Sequence, residues 1–208
     1  MSAQVLSVSL PSEIIYVSGT VNGTAYTWTL IGGAWTATVE RASDDTYAVA
    51  LTAVTAAGVS TNYTLTLYYG LLNLITDRTR ADVANQTDKG VYNASDLNRV
   101  GAAVEYIANR FAALGYDCPV TVKKDWLTID AQTDAPTASQ LETYRRNIVT
   151  LRSRIAVMAS TPEAPASMAG LNYVKANNIE QILLDLDALI TNITKSWYFA
   201  GELYAGEV

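Results

Sequence analysis

The stretch AYTWTLIGGAWTATVER, residues 25–41, has the pattern of two short strands joined by a tight turn. The Gly32-Gly33 pair can adopt the positive φ angles that a two-residue hairpin loop requires. In the resulting register apolar and aromatic pairs alternate with pairs that are mostly Thr with Thr, so the turn and the facial pattern predict the same hairpin. The predicted pairs are Ile31 with Ala34, Leu30 with Trp35, Thr29 with Thr36, Trp28 with Ala37, Thr27 with Thr38 and Tyr26 with Val39.

Four further strands are predicted around this hairpin, at Val5–Leu10, Ile14–Val21, Tyr47–Val54 and Asn62–Tyr69. In the last two, apolar residues recur at every second position, which is typical of strands with one buried face. These stripes are Tyr47, Val49 and Leu51, and Tyr63, Leu65 and Leu67. Several short strands at regular spacing predict a β-sandwich over residues 1–70.

The stretch SDDTYAVALTAVTAAGVS, residues 43–60, resembles the penultimate and final strands of a bacterial immunoglobulin-like domain. The resemblance covers residues 12–69. It implies that Tyr47 lies at the tyrosine corner of that fold and that Val49 stands where antibody domains have a cysteine. Such domains serve as spacers or binding modules, and the fold alone names no partner.

After Tyr69 and Gly70 the apolar period changes from two residues to three or four, which indicates helices. In residues 93–115 the apolar residues alternate three and four apart from Leu97 to Leu114, Asn93 or Ser95 can cap the start and Gly115 can close the end. A second helix is predicted from a capping box of Thr137 and Gln140. Its apolar stripe is Leu141, Tyr144, Ile148, Leu151, Ile155 and Met158.

A third helix is predicted over residues 172–198, with the stripe Ile179, Ile182, Leu186, Ile190, Ile193 and Trp197. Three one-sided helices predict an antiparallel three-helix bundle over residues 93–208, with an oligomeric coiled-coil seam as the alternative. The fold class is therefore two-domain, all-β followed by all-α. Residues 71–92 are interpreted as a linker and packing segment in which Thr79 and Asp82 cap a short helix, and residues 70–80 as a semi-rigid junction. Residues 120–129 are expected to add an extended piece.

Charge and missing residue types exclude several functions. The formal net charge is -6, and residues 1–70 carry four acidic residues and one basic residue, so no basic nucleic-acid surface is predicted. Arg145, Arg146, Arg152 and Arg154 are interpreted as a charged helix face, with Glu142 one turn before Arg146. The chain has no histidine, which removes Ser-His-Asp and Cys-His catalysis and His-based zinc sites. We expect no enzyme activity, no cofactor and no metal.

The cellular compartment is predicted from the start of the sequence, the length of its apolar stretches and its cysteine content. The opening MSAQVLSVSL lacks a basic region and a long apolar run, so no signal peptide is predicted, and no apolar stretch is long enough to predict a membrane span. With a single cysteine, Cys118, the chain is compatible with folding in a reducing cytoplasm.

Three groups of residues have a possible functional interpretation beside a structural one. Glu105, Glu142, Glu180, Asp185 and Asp187 provide carboxylates for glycoside cleavage, although carboxylates are expected on polar helix faces in any case. Asp44 and Asp45 are candidate calcium ligands or a solvated turn. The aromatic residues Tyr26, Trp28 and Trp35 form either a sugar-stacking platform or, as their alternation with Thr favours, part of the core.

The terminal stretch SWYFAGELYAGEV, residues 196–208, is the candidate interface. We expect this aromatic terminus, interrupted by two glycines, either to fold back on the bundle or to dock on a neighbouring molecule. Its candidate contact residues are Trp197, Tyr198, Phe199, Leu203 and Tyr204.

Four stretches together resemble a family of small proteins encoded in the structural-gene region of phages and prophages of gut Firmicutes. They are LITDRTRADV (74–83), YNASDLNRVGAAVEYIANRF (92–111), DWLTIDAQTDAPTASQLETYRRNIVTLR (125–152) and WYFAGELYAGE (197–207). The resemblance implies a non-enzymatic virion component of the tail, baseplate or fibre, made in the host bacterial cytoplasm. Its partners would be copies of itself and other virion proteins, without nucleic acid or membrane.

Two alternative functions stay open. One is a host-surface, carbohydrate-binding module that uses sandwich loops such as Asn22–Thr24 or Ala56–Thr61. The other is a cell-wall glycosidase that uses the helical carboxylates.

Overall fold

The computed structural model describes residues 3–69, 73–130, 132–133 and 135–205, with the backbone alone for residues 132–133 and 197–205. The strands are β1 (Ala3–Val8), β2 (Ile14–Val21), β3 (Thr24–Thr27), β4 (Thr29–Ile31), β5 (Ala34–Glu40), β6 (Thr46–Thr55), β7 (Ser60–Tyr68), β8 (Thr128–Ile129) and β9 (Gln132–Thr133). The helices are α1 (Arg80–Ala84), α2 (Ala94–Ala113), α3 (Ala138–Arg152) and α4 (Tyr173–Ala205).

The strands form two antiparallel sheets. One has three strands in the order β1-β5-β4, and the other has six in the order β3-β2-β6-β7-β8-β9. One cluster of buried side chains draws on both sheets, and it includes the predicted stripes on β6 and β7. Two antiparallel sheets together with helices confirm the predicted fold class at this level.

The hairpin prediction was correct near the turn and wrong further out. Gly32 and Gly33 both have positive φ, and the three pairs next to the turn have the predicted register. The three outer pairs do not form, because the chain leaves the ladder at Trp28 and β3 pairs with β2 in the other sheet. Trp28 is buried in the core at this change of sheet. The hydrophobic burial of the indole therefore takes the place of the predicted Trp28–Ala37 pair.

The helix starts agree with the predicted caps. The Asn93 side chain accepts hydrogen bonds from the backbone N–H groups of Ser95 and Asp96 at the start of α2, and Gly115 has the positive φ expected after a helix end. The predicted capping box of Thr137 and Gln140 forms at α3, and Thr79 and Asp82, predicted to cap a short helix, form a capping box at α1.

Two helix ends differ from the prediction. α3 ends at Arg152, so Ile155 and Met158 are not part of its stripe, and Met158 is exposed. At this end the Arg152 side chain donates to the backbone carbonyls of Thr161 and Pro162 in the following irregular segment. α4 continues past the predicted end to Ala205, so the glycine at position 201 does not interrupt it.

The chain forms two compact units that interleave along the sequence. Unit 1 comprises Met1–Asn73, Tyr92–Ala102 and Lys123–Pro136, and unit 2 comprises Leu74–Val91, Ala103–Val122 and Thr137–Val208. These units differ from the contiguous domains 1–70 and 93–208 and the linker 71–92. Hydrogen bonding explains the difference, since Tyr68 and Ser95 share a 2.6 Å hydroxyl contact and β8 pairs with β7.

Each of the three long helices pairs an asparagine side chain with the backbone of an irregular segment. Asn98 of α2 accepts from the N–H of Trp126 at 2.6 Å and donates to its carbonyl at 3.0 Å. Asn147 of α3 makes the same two bonds with Thr121, at 3.1 and 2.7 Å. A carboxamide has the same donor and acceptor as a peptide group, so it satisfies backbone that has no strand partner.

The third such pair lies in unit 2. Asn177 of α4 accepts from the N–H of Arg78 at 3.0 Å and donates to its carbonyl at 2.9 Å. These asparagines hold the segments 120–127 and 75–79 in place without regular secondary structure. Of the predicted extended piece 120–129, only Thr128–Ile129 is a strand.

We predict that Asn98→Leu lowers the free energy of unfolding by about 3 kcal/mol, because it leaves a buried N–H and a buried carbonyl of Trp126 without partners. Urea denaturation measures this value. Asn109→Leu is the matched control, since Asn109 is exposed on the same helix. Equal stability of the two variants would show that the Asn98 pair contributes nothing.

We also predict that trypsin cleaves after Arg78 far more slowly than after Arg154. Arg78 is only 4 % exposed and its backbone is paired with Asn177, whereas Arg154 is exposed in the segment after α3. Mass spectrometry of a digestion time course gives the order of cleavage. Early cleavage at Arg78 would contradict both this pairing and the predicted semi-rigid junction, of which residues 70–72 lie outside the described residues.

Candidate functional site

The predicted interface lies on the last part of α4. The backbone of this part is helical through Ala205, and the side chains of Trp197, Tyr198, Phe199, Leu203 and Tyr204 lie outside the described residues. Among the described side chains of α4, the last buried one is Ile190. Those at positions 192 and 194–196 are exposed, and Ile193 is half-buried. The core of unit 2 that the structure describes therefore uses the first half of this 33-residue helix.

The carboxylates considered for glycoside cleavage mostly have structural partners. Glu142 accepts two hydrogen bonds from Arg145, at 2.6 and 2.9 Å, so its partner is Arg145 and not the predicted Arg146. Asp187 pairs with Arg110, and Asp185 accepts from Gln181 at 2.7 Å. The hydrogen bonds and positive charge of Arg145 lower the pKa of Glu142, which is opposite to the raised pKa that a general acid requires.

Glu180 is fully buried in unit 2. Its carboxylate accepts a hydrogen bond from Arg78 at 2.7 Å and another from the backbone N–H of Ile75 at 2.6 Å. Arg78 in turn donates to the carbonyl of Ile75 at 2.7 Å. A carboxylate this deeply buried needs such a set of donors to offset the cost of its desolvation, and this arrangement holds the segment before α1 against α4.

For the aromatic residues and the two aspartates, the structure also favours the structural interpretation over the functional one. Trp28 and Trp35 are buried in the core of unit 1, and Tyr26 packs against it, which confirms the core interpretation. Asp45 receives two hydrogen bonds from Arg41, at 2.6 and 2.7 Å, and Asp44 accepts from the N–H of Thr46. Both aspartates therefore serve the turn between β5 and β6.

A surface cleft of about 450 Å³ lies in unit 1. We call it the hydroxyl cleft. Its floor is the outer face of the six-stranded sheet, and the β2–β3 turn and the start of α2 also line it. The lining residues are Thr20, Gly23, Ala48, Val49, Ala50, Thr64, Leu65, Thr66, Asn93, Ala94, Ser95 and Thr128.

Strand register explains why these residues meet. Thr20 on β2 lies opposite Ala50 on β6, Ala50 lies opposite Thr64 on β7, and Thr64 lies opposite Thr128 on β8. Residues directly opposite on neighbouring strands share one face, so this row crosses four strands of the sheet. Small side chains in this row leave room above the sheet.

The lining residues of the hydroxyl cleft that the structure describes carry hydroxyl and methyl groups and no charged side chain. Its hydroxyls belong to Thr20, Thr64, Thr66, Ser95 and Thr128. Ser95 is bonded to Tyr68 at 2.6 Å, and the Asn93 carbonyl oxygen is used as the cap of α2. The four threonine hydroxyls make no hydrogen bond within the described part of the chain, so they are available to a ligand.

The two predicted binding loops lie at opposite ends of unit 1. β2 and β6 are antiparallel, with Val21 opposite Val49 and Ile14 opposite Thr55. Asn22–Thr24 therefore follows one end of this pair and Ala56–Thr61 follows the other. One of the two loops contributes Gly23 to the hydroxyl cleft, and the other contributes no residue to it.

The hydroxyl cleft was not predicted from the sequence. A signal was present, because the outward positions of β6 and β7 carry Ala48, Ala50, Thr64 and Thr66 where exposed strand positions usually carry larger polar residues. The contribution of Asn93–Ser95 depends on the hydrogen bond between Ser95 and Tyr68, which no local pattern predicts.

Across the residues that the structure describes, no group of three or more Cys, Asp or Glu side chains is placed to hold a metal ion. Within the same residues, no helix combines the length and the apolar character needed to cross a membrane. No protein-family model matches the chain, and the comparisons with curated proteins and with solved structures gave no match either.

We predict that Glu180→Gln lowers the free energy of unfolding by about 3–5 kcal/mol, because it removes the negative charge that pairs with the buried Arg78 guanidinium. The double variant Arg78→Met/Glu180→Leu is expected to be more stable than Glu180→Gln, since it removes both charges. Glu142→Gln is the control and should cost far less, because its ion pair is only partly buried and its carboxylate stays in contact with solvent.

Chemical denaturation measures all three variants. A Glu180→Gln variant with unchanged stability but lost peptidoglycan-clearing activity would instead assign Glu180 a catalytic role.

Proposed function

We propose that this chain is a non-enzymatic structural and assembly protein of a phage virion, belonging to the tail, baseplate or fibre. The resemblance of residues 74–83, 92–111, 125–152 and 197–207 to proteins of phage structural-gene regions supports the setting. In this proposal the protein is made in the host bacterial cytoplasm and becomes part of the virion.

The observation that carries the proposal is the length of α4. After Ile190, its last buried residue among the described side chains, the helix continues for about 22 Å to Ala205. Positions 183, 190, 197 and 204 are seven residues apart and therefore share one face of the helix. Leu183 and Ile190 are buried in unit 2, and the sequence continues this face with Trp197 and Tyr204.

A seam that begins in a protein's own core and continues beyond it suits contact with another molecule. We propose that Trp197, Tyr198, Phe199, Leu203 and Tyr204 bind a second copy of this chain, and that further virion proteins join the resulting oligomer. Helical seams of this kind build closed symmetric assemblies from identical chains.

In the proposed architecture unit 1 is an immunoglobulin-like sandwich and unit 2 contains a three-helix bundle. The shared core of the two sheets supports the sandwich. The Tyr47 hydroxyl accepts a hydrogen bond from the N–H of Ala42 at 3.0 Å, five residues upstream, which is the interaction of a tyrosine corner. Burial of the Tyr47 ring raises the pKa of its hydroxyl.

Apolar stripes on α3 and α4 support the bundle. Ile148 and Leu151 of α3 and Ile182 and Leu186 of α4 are fully buried. The second half of α2 adds Ile107 and Phe111 to the buried residues of unit 2. Three helices with buried stripes in one compact unit are the parts that such a bundle needs.

We predict that the full-length chain self-associates and that removal of residues 197–208 makes it monomeric. Light scattering coupled to size-exclusion chromatography measures the mass at loading concentrations from about 10 µM to about 1 mM, a range that covers weak dimers. Trp197→Asp should have the same effect as the truncation, because a charge in an apolar seam opposes its burial.

Val174→Asp is the matched control, since Val174 is exposed on the first turn of the same helix and lies far from the proposed seam. A full-length chain that stays strictly monomeric at the highest concentration would overturn the assembly proposal. Equal loss of association in Val174→Asp and Trp197→Asp would also contradict the seam.

A further inference from the structure

The hydroxyl cleft has the features of a ligand site. None of its lining residues belongs to α4. Its volume of about 450 Å³ falls within the range of small-molecule sites, roughly 300–1,000 Å³. All its lining residues belong to unit 1. It therefore offers a function that does not depend on self-association.

The spacing of the threonine hydroxyls indicates which polar groups a ligand of the hydroxyl cleft should carry. Thr64 and Thr128 lie directly opposite each other on neighbouring strands, about 4.8 Å apart, and Thr20 lies two strands from Thr64, at about 10 Å. Thr66 is two residues along β7 from Thr64, on the same face. Each hydroxyl both donates and accepts, so the row matches a ligand with several hydroxyl groups of its own.

The methyl groups of the hydroxyl cleft set the apolar part of the ligand. Ala48 and Ala50 are exposed on the floor between the threonines. Their methyl groups and those of the threonines can contact C–H groups but offer no broad aromatic face. The ligand is therefore a molecule that alternates hydroxyl and C–H groups over a short distance.

The lining residues that the structure describes carry no charge and no aromatic ring, which disfavours other ligand classes. Without lysine or arginine the site does not neutralise phosphates or a nucleic-acid backbone. Without a carboxylate it does not bind an organic or metal cation. Without an aromatic ring it does not stack a nucleobase. The start of α2 contributes a partial positive charge, which attracts oxygen acceptors at that end.

We propose that the hydroxyl cleft binds a neutral saccharide of about two sugar rings. This goes beyond the structural role, because it gives unit 1 a recognition function for glycans. The proposal also changes the location of the carbohydrate site, from the two predicted loops at opposite ends of unit 1 to one face of the six-stranded sheet. The expected affinity is weak, with a Kd of about 1 mM, since the hydroxyl cleft is open and has no aromatic platform.

Titration of the ¹⁵N-labelled full-length protein with saccharides tests the proposal. The probes are cellotriose, maltotriose and chitotriose, each added to about 20 mM, some twenty times the expected Kd. Galacturonic acid trimer is the charged counterpart. We expect saturable amide shifts at positions 48–50, 64–66 and 93–95 with at least one neutral trisaccharide, and at least tenfold weaker binding of the charged one.

Two variants test whether the hydroxyl cleft is the site. Thr64→Val/Thr128→Val removes two hydroxyls while keeping shape and strand propensity, and it should weaken binding at least tenfold. Ala50→Phe fills the floor of the hydroxyl cleft and should abolish binding. Thr38→Val is the matched control, because Thr38 is exposed on β5 in the other sheet, and it should leave binding unchanged. Unchanged thermal unfolding of each variant excludes loss of the fold.

The proposal is overturned if none of the neutral saccharides shifts these amides, if the shifts lie elsewhere, or if Ala50→Phe still binds. Equal binding of the charged and neutral probes would also overturn it. None of these outcomes affects the assembly proposal, because the truncation of residues 197–208 tests a different unit by a different measurement.

Discussion

The irregular parts of this protein depend on asparagine side chains that take the place of a strand partner. Buried backbone N–H and carbonyl groups must be satisfied, and segments 120–127 and 75–79 lack the ladder or helix that does this elsewhere. Asn98, Asn147 and Asn177 each satisfy one N–H and one carbonyl from a helix surface. With these pairs, long connections stay ordered and carry residues such as Trp126 into buried positions.

The same constraint explains two buried ion pairs. Arg78 is held at its backbone by Asn177, and its guanidinium reaches Glu180, one turn further along α4. Asp96 and Arg99 form a second buried ion pair at the start of α2, where residues 96–104 are all buried. Buried charges that satisfy each other and nearby backbone specify one arrangement of the chain more than they raise its stability. Several carboxylates that resembled catalytic candidates thus have a structural explanation.

The two proposed functions use different physical properties of the chain. Self-association relies on an apolar helical face that continues beyond the last described buried residue. The proposed saccharide recognition relies on small uncharged side chains on the outer face of a sheet, whose threonine hydroxyls have no hydrogen-bond partner in the part of the chain that the structure describes. The two proposals are compatible with each other, because they place self-association on unit 2 and saccharide recognition on unit 1.

Much of the local structure could be predicted from short-range patterns. The Gly32-Gly33 turn, the buried stripes of β6 and β7 and the capping boxes at Thr79 and Thr137 involve residues only a few positions apart, and they form as predicted. The seven-residue spacing of positions 183, 190, 197 and 204 in α4 can likewise be seen in the amino-acid sequence.

The remaining features depend on contacts between distant residues. Trp28 leaves the hairpin because the shared core of two sheets buries it, and the asparagine pairs join residues 26–99 positions apart. The hydroxyl cleft likewise needs β2, β6, β7, β8 and the start of α2 together. Periodicity and capping encode interactions within one element, whereas burial and backbone satisfaction depend on which elements become neighbours. The amino-acid sequence therefore predicts the elements and their caps, and the folded chain determines the change of sheet, the interleaved units and the hydroxyl cleft.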